Sequence, residues 1–371
     1  MKIGVNSRYI LERGTGVPNY VSYLFRKCLE LDRANDYVFF QTSDRKTLGK
    51  TVVAPTSPGI VGAAQFDCLK VQRLIRESQV QVYHAPAHIL PLRRIPGVKY
   101  VVTFHDLATR VLPQQYGWQH KLYYRLQIPR SLKLADAIIA DSHNTKRDII
   151  KFYGTPAEKI HVVHLGVGDQ FIEGAAKVGE RIIAEKYFFS ITTHPKRKNV
   201  LGALRAFATF ADKTPLKYVI AGLIDDTQRQ EVVDLAASLG LSNRVQLFGY
   251  ADDQQLINLY HHAEFLIYPS FYEGFGFPVV EAMACGTPVI TSNTSSLTEL
   301  MLTDEWLVNP ADIGDIAAKM QRMIALDSAK RRELIERNAA HARTFTWEKT
   351  ARQTIAVLEG VGSLNAIPKR R

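Results

Sequence analysis

Two carboxylates, Glu273 and Glu281, frame the stretch of this chain that holds the most chemistry. Residues 268–281 read Y-P-S-F-Y-E-G-F-G-F-P-V-V-E and run into A-M-A-C-G-T-P-V-I-T-S. The apolar run 265–268 has the length of a buried strand. Gly274 and Gly276 build a turn, and Pro278 suits the first turn of a helix, where a missing N–H costs nothing. The spacing predicts a strand, a glycine-rich loop and a helix N-terminus. Such a loop turns backbone N–H groups and a positive dipole end toward an anion. One carboxylate stands at the loop and the other in the first turns of the helix. That arrangement suits a nucleoside diphosphate bearing a sugar: amides for the phosphates, acids for the hydroxyls.

Three further constellations carry chemistry. Ser7-Arg8 is followed by Gly14-Thr15-Gly16-Val17-Pro18, between a first strand and a helix expected over 19–31. Asn19 stands where a dinucleotide fingerprint needs its last glycine, so a nicotinamide enzyme is disfavoured. His105-Asp106 falls at the end of a strand, where open α/β sheets hold ligands. The run Pro195-Lys196-Arg197-Lys198-Asn199 follows the first strand of the second half. Cations there suit a leaving diphosphate, whose negative charge grows as its bond breaks. Ser142 reads as the cap of a helix over 145–153. His84 and His88 have a metal-like spacing, but Pro86 lies between them and no third ligand is near. No metal site is expected.

The elements that must position these groups alternate along the chain. Strands are expected at 2–6, 37–41, 80–84, 99–104, 136–140 and 161–164, then at 187–192, 216–222, 245–249, 264–268 and 288–291. Helices such as 199–212, 227–239 and 253–262 separate them. Alternation of this kind implies parallel sheets with helices on both faces. The length, 371 residues, suits two domains. Four glycines interrupt the periodicity between 166 and 179. The expected division is 1–168, a linker at 169–186, a second domain at 187–346 and a last helix beginning at 347.

Bulk properties narrow the class. Hydrophobic residues make up 46% and charged residues 22%, which suits a globular chain. No apolar run approaches the ~18–20 residues of a membrane span. The strand-like start lacks the apolar core of a signal peptide. Cys28, Cys68 and Cys285 are scattered, which fits a reduced, cytoplasmic compartment. The net charge of +11 favours nucleic acid, anionic lipid or phosphorylated ligands. No zinc-finger spacing, basic zipper or RNA-binding aromatic signature accompanies it. Residues 118–133 mix Lys121, Arg125, Arg130 and Lys133 with Trp118, Tyr123 and Tyr124. That mixture suits an anionic membrane surface, although a helix packed on its own domain reads alike. Lys369, Arg370 and Arg371 add local charge.

With the whole E-G-F-G-F-P-V-V-E-A-M-A-C-G-T-P-V-I string in view, the chain resembles the group 1, family 4 retaining glycosyltransferases, whose E-x7-E motif it carries. The resemblance implies the GT-B fold: two doubly wound, Rossmann-like α/β domains facing across a cleft. It makes 1–168 the acceptor domain, with helix 347–371 packing back on it, and 187–346 the nucleotide-sugar domain. It implies that Glu281 accepts hydrogen bonds from ribose hydroxyls and that Glu273 lies at the sugar. Gly274, Phe275, Gly276, Phe277, Pro278, Val279 and Val280 would line the sugar and phosphates. Gly14, Thr15 and Gly16 would close over the donor. His105 would lie near the sugar, with Asp106 orienting its loop or its imidazole. Lys198, with Arg197, would clamp the diphosphate. Here the chain departs from the family: an extra lysine intervenes and a frequent Gly-Arg pair is absent, which leaves the alignment of the cations open.

Ser295-Ser296-Leu297-Thr298-Glu299 and Leu307-Val308-Asn309-Pro310 are similar to patterns of bacterial mannosyltransferases of O-antigen or capsule assembly. This similarity implies GDP-mannose as donor and a lipid-linked glycan as acceptor, met at the inner face of the cell membrane. A UDP- or other nucleotide sugar is the alternative donor. A non-catalytic nucleic-acid-binding protein is the rival of another class, although no nucleic-acid partner is expected. No D-x-D motif stands at a strand end, so the expectation is metal-independent catalysis without a cofactor. Retention would proceed by front-face attack assisted by the leaving phosphate.

Overall fold

The computed structural model describes the chain except residues 11–15, 44–46, 58, 175–177, 195, 223–224 and 364–371. The chain forms two compact units, Met1–Gly166 with Thr346–Arg371, and Val167–Phe345. Each is a parallel α/β sheet, and the reason is legible in the strands. They are near-continuous apolar runs such as Tyr-Val-Phe-Phe and Ala-Ile-Ile-Ala. A strand covered by helices on both faces has no need to alternate apolar and polar residues.

The first unit contains β1 (Lys2–Asn6), β2 (Asp36–Gln41), β3 (Thr51–Val53), β4 (Val82–Ala85), β5 (Lys99–Phe104), β6 (Ala137–Ala140) and β7 (Ile160–Val162). They pair in parallel in the order β3-β2-β1-β4-β5-β6-β7. Helix Val17–Leu31 lays Tyr20, Val21, Leu24, Phe25 and Cys28 on the sheet. Helix Trp347–Ser363 packs beside it. There Tyr23 stacks on Trp347 with ring centroids 5.4 Å apart. The Thr350 hydroxyl donates to the carbonyl of His164 at 2.8 Å. Gly166 has no room for a β-carbon, which would run into the backbone of Thr346 and Trp347.

The second unit contains β8 (Tyr187–Ile191), β9 (Lys217–Ala221), β10 (Val245–Gly249), β11 (Leu266–Tyr268), β12 (Val289–Ser292) and β13 (Leu307–Val308). Their parallel order is β10-β9-β8-β11-β12-β13. In both sheets the order reverses beside the first strand of the unit, which makes a crevice at the carboxyl ends. Phe188, Phe207, Tyr218 and Ile220 centre one apolar layer.

The stretch expected as a linker, 169–186, is built into the second unit. Asp169–Gly174 is a helix that packs on helices Asp253–His262 and Phe277–Ala284. Asn258 fastens the segment, accepting from Ile182 N at 3.2 Å and donating to Glu180 O at 2.9 Å. The reason is apolar: Phe171 and Ile183 are buried, and such side chains would otherwise face water. Among the described residues, no helix is long and apolar enough to cross a membrane.

Candidate active site

In the second unit, β11 ends at Tyr268 and helix Phe277–Ala284 begins after Gly276, as the motif implies. Gly276 has φ 120°, a conformation that L side chains rarely adopt. A β-carbon there would also lie 2.8 Å from Leu297 and 2.9 Å from Leu300. The loop is held from outside by two serines of the 295–299 segment. Ser295, itself at φ 54°, accepts the N–H of Glu273 at 3.0 Å. Ser296 donates to the carbonyls of Glu273 and Phe275 at 3.0 and 2.8 Å.

Glu273 is 6% exposed and its carboxylate is surrounded by donors. Oε1 accepts from Lys198 Nζ at 2.6 Å, Ser270 Oγ at 2.6 Å and Tyr268 OH at 3.1 Å. Oε2 accepts from Arg197 Nη1 at 3.2 Å. Burial alone would raise its pKa, but the Arg197 and Lys198 charges override that and hold it at about 2. Lys198 also donates to the Tyr268 hydroxyl and lies 4.8 Å from that ring's centroid. Arg197 Nη1 donates to Tyr272 O at 3.2 Å. The three cations of the basic run therefore separate. Arg197 and Lys198 turn inward, whereas Lys196 turns out toward Glu231 at 3.4 Å. Asn199, at φ 54°, ends the turn, and its Nδ2 donates to Pro310 O at 2.7 Å.

Glu281 lies one turn into the helix and accepts from Tyr260 OH at 3.0 Å. Burial pushes its pKa up to about 7, against the lowering effect of that hydrogen bond. The remaining motif residues divide. Phe275, Val279 and Val280 send their side chains into the interior, at 5%, 0% and 0% exposure. Phe275 packs on Phe277 and Phe345. Pro278 has no N–H, and the N–H of Val279 is taken by Gly276 O at 3.0 Å. Pro278 and Val279 therefore offer no free amide to a ligand.

The first unit holds the other sequence-selected groups. Gly14 and Thr15 lie outside the described residues. Gly16 is the N-terminal cap of helix Val17–Leu31 at φ 62°. His105 is fastened at both ring nitrogens, with Nδ1 on Asp141 Oδ2 at 2.6 Å and Nε2 on Pro86 O at 2.7 Å. Burial works against its protonation, but Asp141 outweighs this and raises the pKa. Asp106 is not the imidazole's partner; its Oδ1 accepts from Ala108 N at 2.9 Å and so orders its own loop. His84 bonds Thr103 at 2.8 Å, and His88 accepts the N–H of His105 at 3.2 Å. Burial drives both toward the neutral form, to about 3 and about 4. Ser142 caps helix His143–Tyr153, accepting from Thr145 N at 3.0 Å.

Sequence reasoning missed Asp141, Ser270 and Tyr260 as partners of the selected residues. Asp141 stands one residue after β6, so the strand-end rule that selected His105 selects it too. Tyr260 carries no such signal.

Residues 178–341 match the family model of glycosyl transferases group 1, and residues 20–171 match that of glycosyltransferase family 4. The chain is 29% identical over 291 residues to the O-antigen chain mannosyltransferase B of Escherichia coli, covering 76% of this chain and 74% of that one. It is 28% identical over 277 residues to the serotype-specific mannosyltransferase WbdA of Escherichia coli, covering 72% of this chain and 34% of that one. The fold is also that of Anabaena HepE, solved with UDP-glucose. The TM-score is 0.71 at 17% identity, over 97% of this chain and 100% of that one.

Proposed function

The chain belongs to the group 1, family 4 glycosyltransferases, and on that premise we propose that it moves mannose from GDP-mannose to a hydroxyl of a surface-polysaccharide glycan. The observation that carries this reading is the pairing of Glu273 with Arg197 and Lys198 beside a glycine-rich helix start that bears Glu281. Two inward cations on one carboxylate leave one positive charge in excess. An arriving diphosphate shares these cations with Glu273 and needs no metal for neutralisation. Glu281 then accepts from the ribose hydroxyls, and Glu273 faces the sugar.

The C1–O bond to the diphosphate breaks and GDP leaves. The acceptor oxygen bonds C1 on the same face, and its proton passes to the leaving phosphate oxygen. Arg197 and Lys198 stabilise the charge that gathers on that phosphate. His105 keeps its place by two hydrogen bonds and acts through position, not as a base. The sugar named for both curated relatives supports mannose. The acceptor is proposed to be a glycan on a lipid carrier at an anionic membrane surface.

The UDP-glucose bound by HepE supports a second reading in which the donor is a UDP-sugar. Incubation with GDP-mannose and, separately, UDP-glucose tests both, using a soluble mannoside acceptor. The expected result is GDP release with an axial anomeric bond in the product, read by NMR. Transfer from UDP-glucose alone, or an inverted product, would overturn the proposal.

A further inference from the structure

Helix Trp118–Leu134 carries an apolar stripe that its own unit leaves open. Trp118, Leu122 and Leu126 are 70%, 50% and 61% exposed, and their spacing of four places them one above another on the helix. They line a groove of about 560 Å³ together with Val61, Leu69 and Leu92, which are 65%, 56% and 42% exposed. Single exposed apolar residues are ordinary, whereas a contiguous set marks a contact surface.

Charge gives an independent observation. Residues 45–135 hold fourteen Lys and Arg against three acids, a net +11. That equals the charge of the whole chain, so the remaining residues sum to zero. Of the three acids, Asp67 is paired with Arg8 and Glu77 with Arg73. The cations also adjoin the apolar lining in sequence: Lys70 follows Leu69, Arg93 follows Leu92, Lys121 precedes Leu122 and Arg125 precedes Leu126. Lys121 and Arg125 are exposed. Arg130 is different from the expectation, because its guanidinium donates to the carbonyls of Leu90 and Pro91.

An apolar groove with cations at its margin matches an amphiphile with a hydrocarbon chain and an anionic head. Nucleic acid would use the cations but leave the leucines without a partner. We propose that this groove takes a hydrocarbon chain from an anionic phospholipid bilayer while the adjoining cations meet the headgroups. This rests on the membrane-borne acceptor proposed above and names the surface by which the chain would meet it.

Trp118 supplies the probe, because Trp306 and Trp347 are 2% and 4% exposed. The full chain is mixed with phosphatidylcholine vesicles, with and without phosphatidylglycerol, at low salt and with neither donor nor acceptor. It should sediment with the anionic vesicles, and lipids brominated in their chains should quench its fluorescence. Leu122→Gln with Leu126→Gln should remove the quenching, with circular dichroism unchanged. Lys121→Glu with Arg125→Glu should weaken partitioning about tenfold or more. Both variants should keep transfer to a short soluble acceptor. Vesicle binding without quenching, indifferent to the leucine changes, would reduce the contact to electrostatics and overturn the groove. Self-association through the same residues, or capture of single-stranded nucleic acid in place of vesicles, would overturn it too. Because the assay holds no donor or acceptor, its failure leaves the transferase reading intact, and the converse holds.

Discussion

Glu273 keeps Oε1 on the ammonium of Lys198 at 2.6 Å although the two residues lie 75 positions apart. The contact ties the turn after β8 to the turn after β11, two neighbouring strands of one sheet. The Glu273 carboxylate is therefore paired at the crevice before any ligand arrives, and a variant that removes it leaves two largely buried cations behind.

Replacing Lys198 or Arg197 with Met should lower turnover on the order of 10²–10³-fold for the residue that meets the leaving phosphate, with a smaller loss of donor affinity. Lys196→Met should stay within about twofold, since its charge faces Glu231 on the exposed side. Steady-state kinetics on the three variants decides the matter. Equal losses at all three positions would point to general electrostatics, and near-normal turnover in both inward variants would place the clamp elsewhere.

Glu281 should make nucleotide affinity depend on pH. Its pKa in the fold is raised to about 7 from an ordinary 4.5. The folded chain therefore holds that proton more tightly than the unfolded chain. The resulting stability is present below the ordinary value and is lost as pH rises through about 7. Ribose hydroxyls need the charged form as their acceptor, so affinity should run the other way and increase over the same interval. Calorimetry of GDP binding across the interval should show the rise, and Glu281→Gln should flatten it. A wild-type affinity independent of pH would remove Glu281 from the nucleotide site.

Chelation should leave activity in place. Arg197 and Lys198 are already turned inward on Glu273, and on the proposed function they would meet the diphosphate charge in place of a metal. Dialysis against EDTA followed by assay is the check. Loss of turnover that Mg²⁺ or Mn²⁺ restores would overturn metal independence.

Gly276→Ala should destabilise the second unit by about 1–3 kcal/mol, through a strained backbone and the contacts with Leu297 and Leu300. Urea unfolding measures it. Adding Leu297→Ala should recover only part, because the dihedral strain persists. An unchanged midpoint in the single variant would show that the loop adapts freely.

Long apolar strands and the E-x7-E segment were legible in the sequence because each reports a local rule: burial on both faces, or glycine where a turn needs it. β1, β5 and β10 fall at the expected residues. The edge strands β3 and β13 were missed, since Thr51–Val53 and Leu307–Val308 are too short to show any period. Candidate residues could be selected from the sequence, but their pairings could not. Nothing along 195–199 says that Lys196 points outward, because the answer lies in Glu231 and Glu273, both distant in sequence. The Tyr260 bond to Glu281 crosses from another helix and has no local signature. The linker reading failed for a related reason: four glycines suggested a break, but Phe171 and Ile183 still had surface to bury.

The first unit is closed by helix Trp347–Ser363, yet the whole of Val167–Phe345 is translated before that helix exists. At ~5–20 residues per second, the nascent first unit waits on the order of 10–40 s for its last helix. During that interval the second unit, contiguous in sequence, is free to fold, while helix Val17–Leu31 keeps Tyr23 without its stacking partner Trp347. Synthesis on the ribosome thus imposes an order that refolding from denaturant does not. A stalled chain ending before Thr346 should present a native second unit and a protease-sensitive first one.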